Sequence, residues 1–105
     1  MTKLDADSLI SPDVLARYAA DAAREVDGVA GLSGRLHPGK AVAVAGDEDT
    51  LSVTVTLELE WGKSAAEVAR EVQKQVSEYL AKMADVTPAS VDVVFDTVTP
   101  PPPKR

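Results

Sequence analysis

The sequence predicts a small α+β domain, in the order α–β–β–β–α–β, with two helices packed on one face of a mixed three- or four-stranded sheet. Three observations carry that prediction. From Leu51 to Trp61 apolar residues stand at the odd positions and polar ones at the even positions, the period of a strand with one buried and one wet face. Two other stretches, beginning at Pro12 and Ala65, repeat their apolar residues every three or four positions, as helices do. A last short run, Val91–Asp96, comes after the second helix, and a right-handed strand–helix–strand crossover places it parallel to the long strand, beside it or one place away. Each strand has only one strongly apolar face, so both helices are expected on that side.

Residues 1–9 read as a flexible lead. Ser11-Pro12-Asp13 opens the first helix, with Ser11 as cap, Pro12 at the first helical position and Asp13 near the positive helix end. Val14, Leu15, Tyr18, Ala19, Ala22, Ala23 and Val26 form its apolar stripe. The helix should end at Asp27, with Gly28 left-handed and Val29 folding back. Val29–Leu36 carries Gly31 and Gly34 and is either a short irregular strand or an extended loop. His37-Pro38-Gly39 is a turn, Lys40–Ala45 a strand, and Gly46-Asp47-Glu48-Asp49 an acidic turn that makes a hairpin with the long strand.

The second helix starts with a capping box, Ser64 and Glu67. Its stripe is Ala65, Ala69, Val72, Val76, Leu80 and Met83, widened by Val68 and Tyr79. Asp85–Pro88 turns the chain, and Pro88 blocks any continuation. After Val91–Asp96, residues Pro100–Pro103 and Lys104-Arg105 form a polyproline-like tail with nothing to bury. Residues 10–98 are then one domain and 99–105 a Pro-rich tail.

Composition narrows the function classes. The 105 residues contain no cysteine, which excludes disulfides, thiolate zinc sites and thiol nucleophiles. There is no secretory leader in the first ten residues and no apolar run near the ~20 residues a membrane-spanning helix needs. A soluble, cytoplasmic chain is expected. Its formal net charge of −6 repels phosphate backbones and anionic lipid. Only Tyr18, Trp61, Tyr79 and Phe95 are aromatic, too few for a base-stacking platform.

Candidate sites are few. Gly28-Val29-Ala30-Gly31, overlapping Gly31-Leu32-Ser33-Gly34, matches the G-x-x-G loop of K-homology RNA-binding domains, but neither copy has a basic residue between its glycines. A nucleic-acid module using Gly28–Gly34 is the alternative function. Asp47-Glu48-Asp49 lacks EF-hand spacing and reads as a solvated turn. Glu58 and Glu60 share a strand face, about 7 Å apart, a separation a glycosidase could use, yet a chain with one tryptophan offers little sugar cleft. His37 is the only histidine, and Ser33 and Ser52 lack a nucleophile motif. No catalytic residue, cofactor or metal is predicted. Trp61 continues the buried parity and reads as a lid over the core near the second helix; the other reading is a half-exposed anchor for a partner.

Several stretches together resemble the alkaline shock protein family of bacterial envelope stress response proteins. They are Ile10-Ser11-Pro12-Asp13-Val14, Glu25-Val26-Asp27-Gly28-Val29-Ala30-Gly31-Leu32, the strand ending Leu59-Glu60-Trp61-Gly62, Val72-Gln73-Lys74-Gln75-Val76, and Val91-Asp92-Val93-Val94-Phe95. The family usually has a tyrosine where Trp61 stands. The alanine, valine and aspartate bias also resembles actinobacterial proteins. The resemblance implies a non-enzymatic cytoplasmic protein that self-associates and is held at the membrane by a membrane-anchored protein partner, with no catalytic residues to carry over. The chain departs from the longer members in lacking extended charged tails, which puts any tail-mediated interaction in doubt. The expected contact surface is the polar strand face, Ser52, Thr54, Thr56, Glu58 and Glu60, with Trp61 and the free sheet edge, because an unpaired edge invites pairing.

Overall fold

The computed structural model describes residues 11–33, 41–47 and 50–99. The order is α1 (Pro12–Arg24), β1 (Val29–Leu32), β2 (Val42–Ala45), β3 (Ser52–Glu60), α2 (Ala65–Ala84) and β4 (Ser90–Thr99). This is the predicted α+β arrangement. The lead, the His37-Pro38-Gly39 turn, Glu48-Asp49 and the proline run lie outside the described residues.

The long strand β3 organises the sheet. On one edge β4 runs parallel to it for its whole length, from Ser52↔Ser90 to Glu60↔Thr99. The other edge is shared by two short antiparallel strands: β2 pairs with Ser52–Val55 and β1 with Leu57–Leu59. Between them Thr56 bonds both segments, its carbonyl accepting from Ser33 N–H at 3.0 Å and its N–H donating to the Ala41 carbonyl at 2.7 Å. Ser33 and Ala41 therefore both meet β3 at a single residue. The sheet has four strands and is three strands wide.

Both helices cover the odd face of β3. Val53, Val55 and Leu57 are fully buried there against Val72, Val76 and Leu80 of α2 and Ala19 and Ala23 of α1. The alanines let α1 approach closely, and Tyr18 meets Tyr79 edge-to-face between the helices, with centroids 5.8 Å apart.

Helix ends obey local chemistry, with two departures from expectation. Ser11 Oγ accepts from Val14 N–H and Ser64 Oγ from Glu67 N–H, each at 3.3 Å, as the cap residues predict. α1 stops at Arg24 rather than Asp27, because Glu25 and Val26 donate to carbonyls three residues back and tighten the last turn. Gly28 still supplies the positive φ, +101°. The buried stripe of α2 is Val68, Val72, Val76 and Leu80. Ala65 and Met83, expected in the core, are exposed. They share the helix face of that stripe but lie in the terminal turns, outside the stretch from Val68 to Leu80 that meets the sheet. Asp85 closes α2 in the left-handed conformation, with Val86 N–H reaching the Leu80 carbonyl.

Candidate interaction surface

The even face of β3 is the predicted contact surface, and the fold leaves it without a helix over it. Ser52, Thr54, Thr56 and Glu58 are half-buried there, while Glu60 is exposed at the strand end. Register supplies their neighbours. Thr54 lies between Ala43 and Asp92, Thr56 stands beside Val94, and Glu58 lies between Gly31 and Thr97. The middle of this surface is small and hydroxyl-rich. Val94 adds an apolar point to it, 45% exposed.

Trp61 does not lie over the core. It is 63% exposed, because the strand's alternation ends at Glu60. Lys63 N–H bonds back to the Glu60 carbonyl at 3.2 Å and Gly62 takes φ +86°, so the chain turns before the indole reaches the helices. The expected lid is thus an exposed side chain. Lys63 then pairs with Asp27 at 3.2 Å, joining the turn after β3 to the turn after α1.

Two bulges flank Glu58. On one side Ala30 is the extra residue between the pairs Val29↔Leu59 and Gly31↔Glu58. On the other, Asp96 is the extra residue between Leu57↔Phe95 and Glu58↔Thr97. Beside them Ser33, which is buried, donates its hydroxyl to Asp96 Oδ2 at 2.5 Å. These residues come from opposite edges of β3, so the bond spans the central strand. Among the described residues, Asp96 Oδ1 and Thr97 Oγ1 are buried without a protein partner. No sequence signal points to this polar cluster, because it depends on which residues the bulges bring abreast.

The remaining motifs take ordinary positions. Gly28 begins the turn into β1 and Gly31 lies within that strand, so the first G-x-x-G run is no loop between helices. The second copy ends outside the described residues. Asp47 Oδ1 accepts from both the N–H and the hydroxyl of Thr50, a turn closed by its own side chain. The Ser33 hydroxyl is committed to a carboxylate, and His37 lies outside the described residues. Among those residues no helix is long and apolar enough to cross a membrane.

Comparison with known proteins agrees with this architecture. The model of the alkaline shock protein 23 family, described as having a cell envelope-related function, matches residues 2–100. A search of curated proteins finds no match. Among solved structures, a triply substituted MamM CTD superposes with a TM-score of 0.56 at 16% identity, covering 85% of this chain and 94% of that one. A cadmium form of the MamM CTD gives 0.54 at 15% identity, covering 83% and 98%. At such identities the likeness is one of fold.

Proposed function

The chain belongs to the alkaline shock protein 23 family, of cell envelope-related function, and from that premise we propose that it acts as a non-enzymatic scaffold. In this role it self-associates on the cytoplasmic side of the envelope and is recruited to the membrane by a membrane-anchored protein. The observation that carries the proposal is the even face of β3. It is an extended surface of Ser52, Thr54, Thr56 and Glu58, set beside Val94 and left uncovered by either helix. A face of small side chains suits close packing against another flat surface. Glu60 and Trp61 mark its end.

Sedimentation velocity over a concentration series tests self-association. Oligomers should grow with concentration and be lost on Thr54→Arg or Thr56→Arg, with the thermal midpoint of the monomer little changed. A monomer persisting to high micromolar protein defeats the scaffold reading. For recruitment, the chain should fail to float with bare liposomes and should float once solubilised native membrane proteins are reconstituted into them. Flotation with protein-free liposomes defeats the partner requirement.

A further inference from the structure

The two outer edges of the sheet differ in how readily they accept another strand. On one side, β1 and β2 are four residues each and separated along β3, which blunts that edge. On the other, β4 is ten residues long, and among the described residues nothing pairs with its outer side. Ser90 N–H donates to the Leu51 carbonyl at 3.4 Å, so Ser90, Asp92 and Val94 turn their backbone groups toward β3. Val91, Val93 and Phe95 therefore direct their N–H and C=O groups outward. The run is regular from Ser90 to Phe95 and ends at the Asp96 bulge. One of its outward carbonyls is already taken: Gln73 of α2 donates Nε2–H to Val91 O at 2.9 Å.

We propose that the outer edge of β4 pairs antiparallel with β4 of a second copy, and that Gln73 is the latch that holds this edge closed. Two constraints choose the register. Outward-facing residues must oppose one another to exchange both backbone bonds, and carboxylates directly opposite one another are unfavourable. A pair centred on Asp92 sets that residue against its own copy, and one centred on Val94 sets Asp92 against Asp96. A pair centred on Phe95 runs into the bulge. Centred on Val93, the pair sets Val91 against Phe95 and Asp92 against Val94, all within the regular run. Val91, Val93 and Phe95 lie on the face that the helices cover, so the apolar layer then continues from one copy into the next. In this register Phe95 of the second copy comes beside Val91, its N–H aimed at the carbonyl that Gln73 holds. Strand pairing and the Gln73 bond therefore compete. The edge is separate from the even face of β3 and needs no association there.

The test uses the Thr54→Arg chain, so that the result does not depend on the even face. Adding Gln73→Ala should produce a dimer and nothing larger, at a concentration about tenfold lower than Thr54→Arg alone requires, read by sedimentation equilibrium. Val93→Pro added to that pair should abolish the dimer. It removes an N–H that faces away from β3, a place where an edge strand tolerates proline. Amide hydrogen exchange on the Gln73→Ala, Thr54→Arg chain carries the same reading if the proline disturbs the fold. The Val91, Val93 and Phe95 amides should exchange freely in the monomer and become protected in the dimer, while those of Asp92 and Val94 are protected in both. If the opened chain stays monomeric to high micromolar protein, the proposal is overturned and the edge is left to a foreign strand. A dimer in which the three outward amides stay unprotected overturns it as well, since another surface then makes the contact.

Discussion

Gly28 shows how the absence of a side chain at one residue lets Val68 of α2 sit against the turn after α1. Its φ of +101° suits glycine, and a Cβ there would sit 2.6 Å from Val68 Cγ2 on α2. Gly28→Ala therefore combines backbone strain with overpacking and should cost about 2–3 kcal/mol, read as a fall in the urea midpoint. Ser33 is a different case, since its burial is polar. Removing its hydroxyl deprives Asp96 of its bond at Oδ2 while Oδ1 already lacks one. Ser33→Ala should destabilise by about 1–3 kcal/mol, and Ser33→Ala combined with Asp96→Ala should cost less than the two changes summed, by the same urea measurement. Gly28 is legible in the sequence because a glycine just past an apolar helix has a local reason to be there. Ser33–Asp96 is not, because 63 residues separate the partners and a bulge decides their meeting.

Among the elements, α2 shows how far periodicity reaches. The repeat identifies the helix and its cap, but a stripe drawn from Ala65 to Met83 is longer than the row the sheet accepts. Leu80→Ala should cost about 2–5 kcal/mol, whereas Met83→Ala should stay within about 0.5 kcal/mol, both measured by chemical denaturation. A comparable cost at the two positions would return Met83 to the core. The strands are equally informative about type and less so about extent. The apolar run Val91–Asp96 marks only the middle of β4, which extends from Ser90 to Thr99 because it pairs with the whole of β3. Trp61 departs from its expected place for the same kind of reason. Alternation describes a strand only while the strand lasts, and Gly62 ends it.

For the whole molecule, net charge and contact surface oppose one another. The chain carries a formal charge of −6, and its even sheet face includes Glu58, Glu60 and Asp92. Association of two such surfaces works against like-charge repulsion, which salt screens over a Debye length of about 10 Å at 0.1 M. Self-association should therefore strengthen as salt rises from about 0.01 to about 0.5 M, checked by sedimentation equilibrium. Oligomers that dissolve over that range would mean the contact is held by ion pairs instead. The uncovered face is legible in the sequence as a polar set on one strand. Val94 beside Thr56 is not, since only the parallel register reveals it.

The meeting of Ser33 and Ala41 on Thr56 has a consequence for engineering the molecule. Ser33 and Ala41, which flank residues 34–40, are fastened to the same residue, so the span between them is fixed by the sheet. Each doubling of such a connection costs only about 0.6 kcal/mol of closure entropy. A peptide tag inserted between Leu36 and His37 should leave the thermal midpoint nearly unchanged, whereas the same tag placed between Val42 and Ala43 should abolish folding. Along β3, β1 and β2 are in effect one interrupted strand, and the interruption is the place to attach a probe.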